Sequence, residues 1–303
     1  MEELFPVLIA VVAIALFIIL FLAIIGKKGK KERKGAKKDR SVILKEANKR
    51  LAQNPRDPEG LTIIGDLYFK EHIWDKAMPI YEVLMDLGSA RSQVNQGEAA
   101  LRYGISALKL GKLQEALKGL FHAKQLNPHN FEVNFYLGQV YYLTNDTEKA
   151  VPLLKQAEIL NPDNMEVQKY LGLSLYKTHK YREAISYLKK VFDLEPENKE
   201  LLFTMAECLA ETGNNERAIK IFIHMRADPE FGVKSALNAG TIHAAQNQPD
   251  KAIEDFEIGL KHSNLLPEQR IDLQYRIATA HIRKQEISKA LYYLKEIQSV
   301  VPG

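Results

Sequence analysis

Eight histidines and one cysteine, Cys208, are the side chains from which a metal centre or an activated nucleophile would have to be built. A lone thiol can form neither an internal disulfide nor a cysteine cage for a metal. His243 and His281 fall at equivalent places in the repeating pattern described below, but two imidazoles without an Asp, Glu or Cys set around them make a poor metal site. They are expected to fill space where a tyrosine stands in other copies. His122, His129, His179, His224 and His262 fall near helix ends or turns, at no ligand-like spacing. The chain has no P-loop, no dinucleotide-binding glycine pattern and no GxSxG. No catalytic residue, metal or cofactor is therefore expected. The chemistry on offer is recognition, for which tyrosine and arginine bring large area and a polar handle at low entropic cost.

Charge is unevenly spread. The net charge is +4, yet Lys27–Arg40 carries nine Lys or Arg against Glu32 and Asp39, which leaves residues beyond 40 close to neutral. A nucleic-acid face needs clustered Lys and Arg, and the folded part has no such surplus. Just before the basic run, Phe5–Ile25 contains no charged or strongly polar side chain over 21 residues. At the rise of an α-helix this spans roughly 30 Å, the thickness of a bilayer's hydrocarbon core. A transmembrane helix is expected within residues 1–26, followed by a basic linker over 27–40. A cleaved signal peptide is disfavoured, because the apolar stretch is long, Glu2 and Glu3 precede it, and no small-x-small site leads up to Gly26.

Acidic residues before the helix and basic residues after it set its direction. The N-terminus is expected outside and the remainder in the cytoplasm, at the inner (plasma) membrane. Lys27, Lys28, Lys30, Lys31, Arg33 and Lys34 suffice as a topological signal, and they also carry the charge to hold anionic lipid headgroups at about 1 kcal/mol each.

The elements that would position any binding residue repeat along the chain. Gly104, Gly138, Gly172 and Gly240 fall on a 34-residue ruler, with Ala206 in the same place between the last two. Twelve residues after each stands Ala116, Ala150, Ala184, Ala218 or Ala252, and four further on Leu120, Leu154, Leu188, Phe222 or Phe256. Two amphipathic helices crossing closely need small residues at the contact and a large one on the same face to fill the remaining gap. Pro128, Pro162 and Pro196 stop second helices, since proline lacks a donor and drives its predecessor out of the helical region. One further copy precedes the block, with Gly65, Tyr68, Ala77 and Tyr81, after which five residues are inserted around 88–92. Another follows four extra residues near Pro267, with Ala278, Ala290 and Leu294.

This pattern resembles the tetratricopeptide repeat (TPR), with seven copies over residues 58–303. The resemblance implies an all-α superhelical solenoid of helix-turn-helix units in which first helices line a concave groove. Residues 41–57 resemble a preceding second helix that caps the first unit, and no closing helix follows the last copy; the expectation is either a flank for docking or self-association or a natural protein longer than this chain.

In this family partners lie along the first helices. The matching positions here are Arg102, Phe135, Tyr136, Gln139, Tyr142, Lys169, Tyr170, Tyr176, Phe203 and Glu207, an array whose middle is aromatic. Each ring has an equally good place between adjacent repeats. The clamp by which some TPR co-chaperones grip an acidic C-terminal peptide is missing. Asn238 and Arg276 match it, whereas Phe203, Glu207 and Asp272 stand where it needs Lys, Asn and Lys. The layout is similar to that of lipopolysaccharide assembly protein B without its C-terminal metal module. The implied function is a membrane-anchored, non-enzymatic scaffold or adaptor for protein or peptide partners, without nucleic acid. A protein-import receptor and a structural subunit of an envelope or motility machine are the alternatives.

Overall fold

The computed structural model describes residues 40–88 and 94–300. The expected transmembrane segment, the basic side chains Lys27–Lys34 and most of the insertion around 88–92 lie outside these. Among the described residues no helix is long and apolar enough to cross a membrane. All regular structure among them is helical. Helix α1 covers 40–53, and seven antiparallel pairs follow, in the order α2 (Pro58–Lys70), α3 (Trp74–Gly88), α4 (Gln96–Lys109), α5 (Leu113–Leu126), α6 (Phe131–Leu143) and α7 (Thr147–Leu160). Next come α8 (Met165–Lys177), α9 (Tyr181–Phe192), α10 (Lys199–Glu211), α11 (Asn215–Met225), α12 (Gly232–Ala245), α13 (Pro249–Leu260), α14 (Pro267–Arg283) and α15 (Ile287–Val300). The chain forms two compact units that meet in sequence at Pro128. The first holds α1–α5 and the second α6–α15.

Small-against-large packing builds each pair. The alanines at 77, 116, 150, 184, 218 and 252 have no exposed surface, and Leu120, Leu154, Leu188 and Phe222 are likewise fully buried. A Cβ on Gly138 would lie 2.8 Å from Cγ of Leu154, and one on Gly240 only 2.4 Å from Cε1 of Phe256. In these two pairs the first helix therefore needs a bare backbone where its partner's large side chain crosses. Deleting one such leucine to alanine would cost about 2–5 kcal/mol, because a close-packed site relaxes only partly.

In the first unit, α1 packs on the start of α2. Ala47 is fully buried, Arg50 pairs with Glu59 at 2.8 Å, and the backbone of Gly60 lies against Arg50 and Leu51. In the second unit, first helices also touch one another in sequence, α6 on α8, α8 on α10 and α10 on α12. The four extra residues near Pro267 appear as an added turn at the start of α14, which has 17 residues against 13 in α6, α8 and α10. Pro267 opens that helix, where its missing donor costs nothing.

Candidate functional site

The aromatic residues on α6 and α8 form an interlocked layer. Phe135 is only 8% exposed and belongs to the buried core, with its ring 4.9 Å from Tyr136 and 6.2 Å from Tyr170. Tyr142 meets Tyr170 edge-on at 5.4 Å, and the Lys177 ammonium sits 4.5 Å above the Tyr142 ring. The Gln139 amide donates to the Tyr170 hydroxyl at 2.7 Å. Burial pushes the Tyr136 and Tyr142 hydroxyls above their ordinary acidity range, with Glu132 adding to the first and Glu200 to the second. Tyr136, Tyr142 and Tyr170 are half-buried and pack onto the core of α6–α9. Phe203, at 6% exposed, is likewise part of the buried core; its ring meets Phe222 edge-on and lies tilted against Phe231. Both phenylalanines are drawn inward because a ring without a polar tip gains most by filling the space between two pairs.

Arg102, in the first unit, is also committed to structure. Its guanidinium holds Asp66 and Glu98, donates to the Tyr81 hydroxyl at 3.1 Å, and lies over the Phe69 and Tyr81 rings. Lys169 is half-buried on α8. The basic residues at 27–34 lie outside the described residues.

Open space begins where the aromatic layer ends. A cleft of about 340 Å³ lies between α8, α10 and α12, walled by Tyr176, Tyr181, Glu207, Glu211 and Asn238. A second, of about 400 Å³, lies between α12, α13 and α14. Its floor is Ala244, Ala245, Phe256 and Ala280, and its rim includes Tyr275 and Arg283. Thr241 and Ala245 line both, so the two clefts adjoin along α12 and together run beside four successive pairs. The physical reason is visible on the 34-residue ruler. Tyr142 and Tyr176 fill the place facing the next first helix, whereas Ala210 and Ala244 stand there in the following two pairs. Removing the ring leaves a space that neighbouring backbones, fixed by their own glycine and alanine contacts, do not close.

Polar groups line the groove in order. The Tyr176 hydroxyl donates to Glu207 at 2.6 Å, and the Asn238 amide reaches the other oxygen of Glu207 at 3.5 Å. Arg276 is held by both oxygens of Asp272 at 3.0 Å and reaches Thr241 at 3.4 Å. Arg283 donates to the carbonyl of Ala244 at 3.1 Å.

The two paired histidines behave as space fillers with one addition the pattern did not reveal. His243 Nδ1 lies 2.7 Å from Asp255, a buried carboxylate that Arg226 also holds. His281 Nδ1 lies 2.8 Å from Glu286. Among the described residues no three His, Cys, Asp or Glu side chains come together as a metal set. Asp255 sits three residues after Ala252 on an otherwise apolar face, a signal that could have marked it as a buried, paired charge.

The tetratricopeptide-repeat family model matches residues 175–230, and a second model, described as anaphase-promoting complex, cyclosome, subunit 3, matches residues 120–191. The chain thus carries tetratricopeptide repeats, and its paired helices have that fold. Among solved structures it is similar to the C-terminal part of a TPR repeat-containing protein from Cytophaga hutchinsonii, at 16% identity and a TM-score of 0.57, covering 79% of this chain and 95% of that one. YrrB, described as a TPR protein with an unusual peptide-binding site, has 21% identity and a TM-score of 0.49, covering 62% and 91%. MamA from Desulfovibrio magneticus has 18% identity and a TM-score of 0.48, covering 55% and 94%. At 16% identity the likeness to the Cytophaga hutchinsonii protein is one of fold. No curated protein matches the sequence.

Proposed function

We propose that this chain is a non-enzymatic scaffold that receives a peptide segment of a partner protein in the groove across α8, α10, α12 and α14. The carrying observation is that two clefts adjoin along α12, where Thr241 and Ala245 line both. A concave site with an apolar floor and a few convergent polar groups is what a peptide side chain needs, and the groove has both. The aromatic layer on α6 and α8 serves as its rigid wall, since its rings pack against one another. The alanine floor, by contrast, has no side chain to satisfy it.

Anchoring belongs to the same proposal. Phe5–Ile25 has the length and apolarity of a single span, and the Lys27–Arg40 run following it favours a cytoplasmic side for the repeats at an inner (plasma) membrane. Self-association through the last pair is a further part, supported by Ile287, Leu291 and Tyr292, each about half or more exposed on α15.

The test is capture of crosslinked partners from native membranes by the wild-type chain and by Ala245→Trp. Ala245 is exposed, so the indole fills the groove without entering the core. Loss of the same crosslinked bands, with helical content unchanged, is the expected result. Equal capture by both proteins would place binding elsewhere.

A further inference from the structure

The two ends of the groove differ in charge. At the α10 end, Glu207 and Glu211 stand one turn apart and both line the cleft. Neither carboxylate pairs with a basic side chain among the described residues: Glu207 is met only by the Tyr176 hydroxyl and the Asn238 amide. Lys180 and Arg182 line a neighbouring cleft onto which Glu211 also opens, without pairing with it. The negative potential registers on surrounding groups. Burial first, and then Glu207 and Glu211, push the Cys208 thiol up to about 12, and the Tyr181 hydroxyl is raised by burial and then by Glu211. Tyr176 and Tyr181, with ring centroids 6.1 Å apart, complete an aromatic wall beside the two acids. At the α14 end, Asp272 neutralises Arg276, whereas Arg283 spends one donor on a backbone carbonyl and has no carboxylate partner among the described residues. Between the ends lies the alanine floor above Phe256.

Resting on the reading of this groove as a peptide site, we infer that its occupant is a partner segment that combines a Lys or Arg with a bulky apolar side chain. The cation docks between Glu207 and Glu211 against the tyrosines, and the apolar group drops onto Ala244, Ala245 and Ala280. Two carboxylates and aromatic faces together stabilise an ammonium or guanidinium. The apolar side chain gains by leaving water for a floor of methyl groups. Arg283 disfavours a second cation at the far end, so charge sets the orientation of the segment as well as its choice. Nucleic acid is excluded from the acidic end by the same repulsion.

The test uses the full chain and a set of blocked synthetic peptides that carry Lys plus Leu, Glu plus Leu, or Lys plus Ser at graded spacings. Lys-plus-Leu peptides are expected to bind, and to bind more weakly as salt rises, while the other two classes do not. The double variant Glu207→Gln with Glu211→Gln keeps an acceptor for Tyr176 and should weaken Lys-plus-Leu binding about tenfold, equivalent to about 1.4 kcal/mol. Replacing both acids with lysine should move the preference to Glu-plus-Leu peptides. Equal binding of Lys and Glu peptides, or indifference to the glutamine pair, while Ala245→Trp still abolishes binding, overturns the charge assignment and leaves the groove standing. Binding that survives Ala245→Trp overturns the groove itself, and retention of no peptide class overturns both.

Discussion

Asp255 shows how a single side chain can be required without being functional. It is 2% exposed on α13 and is shared by Arg226, from the helix end two elements earlier, and by His243 on α12. Replacing it with alanine leaves a guanidinium and an imidazole facing an apolar interior, and chemical denaturation should show a loss of about 3 kcal/mol. Asp228, before α12, illustrates a pH effect. Its carboxylate is held down to about 2, first by Lys199 and then by the backbone N–H groups of Phe231 and Glu230. The folded value lies below the ordinary aspartate value of about 3.9. The stability it contributes is therefore complete above that value and is lost as pH falls through about 2. Acid titration of Asp228→Asn should show a weaker dependence on pH across that window than the parent. An unchanged titration curve would mean that Lys199 does not stabilise the carboxylate.

Three successive first helices of the second unit start on an asparagine whose side chain caps the helix. Asn130, Asn164 and Asn198 precede α6, α8 and α10, each accepting from the backbone N–H three residues on at 3.0–3.2 Å. These asparagines repeat every 34 residues. Asn164→Ala should cost about 1 kcal/mol, read as a lowered Tm. The turn inside each pair carries a different constraint. Gly111 and Gly213 occupy it with positive φ, and so do Asn145, His179, Asn247 and Gln285, the last at φ 60°. A left-handed backbone costs an L-residue roughly 1–2 kcal/mol, which glycine avoids. Gln285→Gly should therefore stabilise the α14–α15 pair by about 1 kcal/mol, seen as slower hydrogen exchange there; faster exchange would refute it. Both features follow the ruler, in the Asn at 130, 164 and 198 and in the Asn, His and Gly residues at the turns within the pairs.

For the whole chain, binding and stability are predicted to separate. The second unit is held by small-against-large contacts inside each pair and by first helices touching in succession, and none of these contacts needs the groove to be filled. Ala245→Trp should hence leave the thermal midpoint within a degree or two of the parent, since exposed substitutions away from packed or paired groups change stability by roughly 0.5 kcal/mol or less. Partner capture should fall in the same protein. A large drop in midpoint would mean that the floor is part of the core.

The pairing of helices, their number and the crossing points were all determined by the sequence, because each rests on residues a fixed distance apart on one face of a helix. The proposed anchor and its basic flank rest on residue order alone, through length, apolarity and charge. The position of the proposed groove was decided by tertiary structure. Tyr142, Tyr170 and Phe135 stand at positions on the ruler that suit either a partner or a place between repeats, and neighbouring helices turn them toward one another, since a ring next to another ring loses more water-exposed surface than one left facing solvent. What remains open is the place where Ala210 and Ala244 succeed the tyrosines. An empty volume belongs to no single residue, and only the packing of four helix pairs defines it.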